Sequence, residues 1–284
     1  MKKKLIIPAV ATCLIVPAFL TGCAGSAMSF GDYMTNAGNA LQNSFNHIVT
    51  EKEDLSTQQN FKFTTSMNNE MYEDGEIAMK MAETITYERS GQGANTVFVI
   101  TEVSSSEAFD EDGESLGVEE TTVVTTYTKF VEGSTTNYYM LEKTLVDEDW
   151  SYEIVETFAD STAFIQEVYD VTLDIFEDIT EDLYGGPDML EALIISGGAQ
   201  VEGDANNCSA SITFDQASFD SYDAAVQRMS GTTTMKIKDG KLSENSGSME
   251  MSYNGKLVTK VSGSSSLVYS ASVSAPTSID DYTA

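Results

Sequence analysis

The sequence predicts an α+β fold: one domain of consecutive antiparallel strands interrupted by helices. Three observations carry this. Apolar residues recur at every second position in most runs of the chain. Asp-Gly and Asn-Gly pairs stand between those runs, and such pairs accept the positive φ angles of tight hairpins. Two stretches, one near the start and one in the middle, carry a helical period instead.

Phe30 to Val49 reads as the first helix, because Phe30, Met34, Ala37, Leu41, Phe45 and Ile48 form one apolar stripe. A strand series follows. In FKFTTSMNNEM, Phe61, Phe63, Met67 and Met71 share a face. In GEIAMKMAETITYE, Ile77, Met79, Met81, Ile85 and Tyr87 share a face that only Glu83 breaks, and Ala78, Lys80, Ala82, Thr84 and Thr86 line the other. Period two sustained from Ile77 to Tyr87 does not fit a helix. Asp74-Gly75, Asp112-Gly113, Asp239-Gly240 and Asn254-Gly255 mark turns, and Glu132-Gly133 marks another. Strands are expected near 61–72, 76–88, 95–104, 118–131, 136–146 and 150–157.

Ala159 to Tyr184 then turns helical, with Ile165, Val168, Ile175, Ile179 and Leu183 facing one way. Asp160 or Ser161 caps its start, and Gly185-Gly186-Pro187 stops it. Pro187 to Ile195 reads as a short helix or a helix entering a strand. A strand at 208–214 and a third helix at 216–229 follow, the latter on the apolar Phe219, Tyr222, Ala225 and Val226. Strands near 232–238, 241–253, 256–262 and 266–273 come last, and the tail SAPTSIDDYTA is polar and extended. With no repeat and no internal linker, residues 30–284 make a single domain.

The start of the chain is of another kind. Lys2, Lys3 and Lys4 precede the apolar run Leu5 to Leu20, which Pro8 and Pro17 interrupt. A membrane-spanning helix needs about 20 apolar residues; this run fits the apolar core of a secretory signal peptide instead. Leu20-Thr21-Gly22-Cys23 closes it and resembles the bacterial lipobox. That resemblance implies a diacylglycerol on the Cys23 thiol and cleavage before it. Residues 1–22 are then a lipoprotein signal peptide and 23–29 a lipidated tether that reaches roughly 20 Å at most. Two acyl chains anchor stably where one does not. An ordinary cleaved signal peptide with an incidental cysteine is the plainer alternative. The lipobox implies a cell-membrane, extracytoplasmic location. Ala24 follows the cysteine, so the aspartate that retains enteric lipoproteins at the inner membrane is absent, and a Gram-positive surface is preferred.

After residue 22 the chain carries 45 acidic residues against 12 basic ones, a net charge of −33. Nucleic acid is excluded as a partner, because no basic stripe exists to release counterions. Anionic head groups repel such a body, so an acyl anchor must do the holding. Between Lys143 and Arg228 stand twenty acidic residues and no basic one. That stretch attracts cations or a cationic partner, or serves as a solvated face. Cys208 is the one remaining cysteine; in NNCSASITF it shares a parity with Ala210, Ile212 and Phe214 and reads as a buried, inert thiol.

The order of these elements resembles the lipoprotein-carrier superfamily, the fold of LolA and LppX. The resemblance rests on LTGC, on FNHIVTEKEDLS before FKFTTSMNNEM, on the Asp-Gly and Asn-Gly hairpins, and on the terminal APTSIDDY. It spans residues 30–284. It implies a strongly curved antiparallel β-sheet, an incomplete barrel, with helices covering its concave face and an apolar pocket between them. The candidate pocket residues are Met67, Met71, Ile77, Met79, Met81, Ile85, Met235, Met249 and Met251. Thioethers are flexible and polarizable and suit variable apolar ligands, although methionine alternating with isoleucine also serves as plain core.

Catalytic chemistry finds little footing. The single histidine, His47, has no partners for a zinc site and no G-x-S-x-G elbow; it reads as solvated or capped. Phe109 to Glu120, FDEDGESLGVEE, places alanine at the first EF-hand position and lacks flanking helices, so it reads as an acidic hairpin tip. No phosphate loop, cofactor motif or metal set emerges. The expectation is a non-enzymatic lipoprotein that binds or carries an apolar, lipid-like ligand. The alternative is a scaffold lipoprotein with a filled core and an acidic partner surface. The sequence names no protein partner.

Overall fold

A computed structural model describes residues 28–48, 60–184, 199–220 and 225–282. The expected signal segment, Cys23, the expected tether up to Ala27 and the expected helix at 187–195 lie outside the described residues.

The chain forms α1 (Phe30–Ile48), six strands, α2 (Ser161–Tyr184) and five more strands. The first six are β1 (Phe61–Glu73), β2 (Glu76–Ser90), β3 (Val97–Phe109), β4 (Ser115–Glu132), β5 (Thr135–Val146) and β6 (Asp149–Phe158). The last five are β7 (Ala199–Gly203), β8 (Cys208–Asp220), β9 (Ala225–Lys238), β10 (Lys241–Tyr253) and β11 (Lys256–Val268). All eleven join one antiparallel sheet in the order β6-β5-β4-β3-β2-β1-β11-β10-β9-β8-β7. Two meanders thus meet at a single seam, where Lys62 faces Val268 and Met71 faces Thr259. The sheet is curved and open, with β6 and β7 as its free edges: an α+β incomplete barrel.

Local chemistry explains the turns. Asp74 and Gly75 both take positive φ, as do Asp239 with Gly240 and Asn254 with Gly255, the geometry that a two-residue hairpin requires. Asp147 and Glu148 adopt it as well, at φ 52° and 71°, without a glycine. The hairpin tip at Asp110 is closed by its own carboxylate, which accepts the Asp112 and Glu114 amides at 3.0 and 2.8 Å. No cluster of three or more metal-ligating side chains occurs among the described residues.

Both helices begin on caps. Ser29 Oγ accepts the Asp32 amide at 3.1 Å while the Asp32 carboxylate accepts the Ser29 amide at 3.3 Å, a reciprocal capping box. Asp160 Oδ1 accepts the amides of Thr162 and Ala163. The buried stripe of α1 is Tyr33, Ala37, Ala40, Ser44 and Ile48. Phe30, Met34, Leu41 and Phe45 pack at its margin, only partly buried. The helix is rotated from its predicted stripe because Ala37, Ala40 and Ser44 are small and allow a close approach to the sheet. Ser44 Oγ then accepts the Leu242 amide at 3.0 Å and contacts the Tyr269 hydroxyl at 2.6 Å.

The expected helix at 216–229 is a correction. Its described residues, 216–220 and 225–229, belong to β8 and β9, paired from Phe214–Gly231 to Asp220–Ala225. Helical spacing of Phe219, Tyr222 and Val226 loses to cross-strand partners: Arg228 donates to both carboxylate oxygens of Asp215 across the hairpin, at 2.7 and 2.5 Å. The strands expected at 256–262 and 266–273 are one strand ending at Val268, because Ser264 pairs with both Ser66 and Ser246. Strand β7, which the sequence reading lacked, is an additional edge.

The tail does more than extend. Asn60 donates to the Ala271 carbonyl at 3.1 Å, Ser90 donates to that of Val273 at 3.0 Å, and the Tyr282 ring meets the Tyr152 ring edge-on at 5.2 Å. It therefore straps the outer face of the sheet from β1 to β6. Leu141, Thr126 and Thr128 lie in outer-face rows there, and all three are buried.

Candidate functional site

Directly opposed residues of neighbouring strands share a face, so the registers assign the concave wall row by row. The innermost rows run Phe61–Arg89–Phe98–Tyr127 and Phe63–Tyr87–Ile100–Thr125. All eight side chains are buried. Phe158 and Tyr138 extend this floor to Phe164 of α2, their rings 5.6 and 5.1 Å away.

Arg89 organises the floor. It is fully buried. Nη2 donates to the Ile48 carbonyl at the end of α1 at 2.6 Å, and Nη1 donates to Thr172 Oγ1 of α2 at 3.2 Å. The guanidinium also stacks on the Phe61 ring at 5.0 Å. Burial pushes its pKa down to about 9, still cationic at neutral pH. A cation at a helix C-terminus also opposes the helix dipole favourably.

Away from this floor the wall opens. Along β1, Phe61 and Phe63 are fully buried, Thr65, Met67 and Asn69 are half-buried, and Met71 is 44% exposed. Along β2 the same gradient runs from Tyr87 and Ile85 to the half-buried Glu83, Met81 and Met79. The outermost row reads Met79–Met71–Thr259–Met251–Met229. The next row reads Met81–Asn69–Val261–Met249–Gly231–Phe214. Six strands contribute to this wall, and β1, β2, β9 and β10 supply its thioethers, at the hairpin end remote from the helices.

The predicted pocket residues divide accordingly. Met71, Met79, Met81, Met249 and Met251 fall in these outer rows, and Met67 lies one row further in, beside Glu83 and Gly263. Ile85 and Met235 belong to the packed core, at 6% and 2% exposure. Ile77 leaves the row, because a bulge at Met71/Tyr72 sets it opposite Tyr72. Met229 joins the wall; the helical reading of 216–229 had concealed it.

Two features of the wall go beyond the sequence reading, which places Glu83 alone on this face. One is a line of glycines. Gly263 opposes Gly247, and Gly231 lies one row further on β9. A Cβ at Gly231 would stand 2.1 Å from the Ser248 carbonyl oxygen and 2.6 Å from the Phe214 ring. Strand glycines mark such close approaches, and here they let β9, β10 and β11 curl. The other is a set of carboxylates. Glu83, Glu102 and Glu142 all face the concave side. Burial, then Glu83 and Glu142, pushes the Glu102 carboxyl above its ordinary range, and burial does the same to Glu83. Isolated charged positions inside an alternating pattern were the available signal.

The remaining candidates are structural. Cys208 is buried and burial raises its thiol pKa, the opposite of a reactive thiolate. His47 is half-buried. Its ring lies edge-on to Tyr269 at 4.8 Å with Lys241 Nζ 3.3 Å from Nδ1. Burial and then Lys241 lower its pKa. The outer face of the sheet is hydroxyl-rich, with Ser66–Thr84, Ser211–Thr234 and Thr213–Thr232 paired across strands.

No protein-family model matches this chain, and no curated protein matches it. Among solved structures, it is similar to a β-barrel-like protein of a domain family of unknown function from Brucella abortus. That match has 12% identity, covers 75% of this chain and 98% of the other, and has a TM-score of 0.16. A putative AttH protein from Nitrosomonas europaea matches at 8% identity over 87% and 99% of the two chains, with a TM-score of 0.17. At these scores neither likeness carries an argument, and the open barrel stands on this chain's own strand registers.

Proposed function

We propose that this protein is a membrane-anchored, extracytoplasmic lipoprotein whose half-barrel receives an apolar, lipid-like ligand against the methionine wall. One observation carries the reading. Burial falls steadily from the helix-covered floor to the hairpin end, so Met67, Met79, Met81, Met249 and Met251 keep partly exposed thioethers on a concave surface. Flexible thioethers adapt to chains of varied shape. The lipobox LTGC supports the anchor, and the acidic body makes acylation the means of holding it at a bilayer. The family resemblance to lipoprotein carriers points the same way.

Native mass spectrometry of the Cys23→Ala chain purified from bacteria tests it. A copurifying apolar mass is expected, and it should disappear in the Met81→Asp/Met249→Asp variant. A ligand-free spectrum, together with no fluorescence gain from an anilinonaphthalene dye, removes the carrier reading.

A further inference from the structure

The outer face of the sheet carries a groove that the methionine wall does not use. Two adjacent rows build it, Asn68–Ser262–Ser248 and Glu70–Lys260–Glu250–Ser230, which run from β1 across β11 and β10 to β9. Together they border a cavity of about 380 Å³, a volume within the range of small-molecule sites. Gly231, Met249 and Val261 border it too. Their side chains belong to the other face, so the floor of the groove is main chain. The tail contacts Asn60, Ser90 and Tyr152, at the other end of β1 and β2 and on β6.

The groove sets fixed acceptors beside unpaired hydroxyls. Glu70 accepts the Tyr72 hydroxyl at 2.7 Å, and Glu250 pairs with Lys260 at 3.2 Å. Both carboxylates are thereby held in place. The side chains of Asn68, Ser230, Ser248 and Ser262 make no hydrogen bond among the described residues. Hydroxyls that border the groove do pair across strands, Ser66 with Thr84 and Thr213 with Thr232. Hydrogen-bonding capacity is therefore left over where the cavity lies.

Charge narrows the ligand. Lys260 stands directly opposite both Glu70 and Glu250 in the register. A metal cation entering the row meets the ammonium, and an anion meets two carboxylates. A neutral molecule rich in hydroxyls meets neither penalty. Neighbouring hydroxyls of a sugar ring donate as a pair to one carboxylate, in charge-assisted bonds. Serine hydroxyls and the Asn68 amide both donate and accept, as sugar hydroxyls do.

We propose that this groove binds a neutral oligosaccharide. Glu70 and Glu250 accept from its hydroxyls, Lys260 donates to them, and Asn68, Ser230, Ser248 and Ser262 complete the contacts. The site lies on the face opposite the methionine wall, so the two are occupied independently.

The test is titration calorimetry on the full chain in a polyoxyethylene detergent, which carries no sugar head group. The neutral probes are cellotetraose, maltotetraose and N-acetylated chitotetraose. Deacetylated chitotetraose serves as the cationic probe and tetragalacturonate as the anionic one. At least one neutral probe should bind with a Kd of about 1 mM or tighter. Glu250→Gln should weaken that binding about tenfold, the loss of one charge-assisted hydrogen bond. Ser248→Trp fills the groove and should abolish binding, while its unfolding midpoint stays with the parent because Ser248 is exposed. Absence of binding by all three neutral probes would overturn the proposal. So would undiminished binding in both variants, which places the sugar elsewhere. Tighter binding of the cationic probe would mean general attraction to an acidic body, and tighter binding of the anionic probe a site for anions; either outcome also removes the neutral site.

Discussion

A guanidinium beneath a helix C-terminus meets several demands at once. Arg89 joins α1 through the Ile48 carbonyl, α2 through Thr172 and the sheet through Phe61. Arg89→Met keeps the volume and leaves the Ile48 carbonyl without its charged donor. Stranding a buried acceptor costs about 1–3 kcal/mol, so urea unfolding should show a loss of that size. His47 has a sharper readout, because it is the chain's only histidine. Its folded pKa is lowered, so the unfolded chain binds the proton more readily. Stability from this group is intact above about pH 6.5, the unfolded value, and declines as pH falls below it. Its imidazole proton resonance should titrate below that value and move up in Lys241→Met, which removes a neighbouring charge. Neither role was legible in the sequence. Nothing in the strand pattern of ITYERS marks the arginine as inward-facing except its parity with Tyr87 and Ile85, and parity alone argues for an apolar residue there.

Elements were read more faithfully than residues. Alternation over Ile77 to Tyr87 located β2 because a half-buried strand writes its burial directly into every second position. The segment 216–229 failed for a converse reason. Its apolar residues are sparse enough to satisfy two periods, and only the ladder to neighbouring strands decides between them. Burial along β10 shows the same limit: its alternation reports one covered face, not what covers it. The glycine line belongs to this scale. Gly231→Ala should cost about 2–3 kcal/mol, within the range for overpacked sites, because its Cβ meets backbone rather than a yielding side chain. Gly247→Ala and Gly263→Ala, with nearest approaches of 3.1 and 3.0 Å, should cost less. That ranking in chemical denaturation tests whether curvature is set at β9.

For the whole molecule, the layout of helix, meander, helix and returning meander was legible, since each piece rests on local periodicity and turn chemistry. The outer methionine rows were partly legible, because their parity is local. The seam between the meanders and the tail's path over the outer face were not, since both join residues some 200 positions apart. The anchor is a prediction at this scale. Cys23→Ala should move the protein from the membrane pellet to the soluble fraction in cell fractionation, because residues 23–284, with a net charge of −33, are repelled by anionic lipid. Continued sedimentation with membranes would place the attachment elsewhere.

The pairing of Lys62 with Val268 also constrains how the chain acquires its shape. Contacts between distant residues form slowly, because the intervening loop must close first. While the polypeptide is still being delivered from its N-terminal side, β1 has β2 on one side and nothing on the other. Its second partner is among the last segments delivered. Until then the incomplete sheet presents a naked central strand, so a holding chaperone would find its binding site at β1.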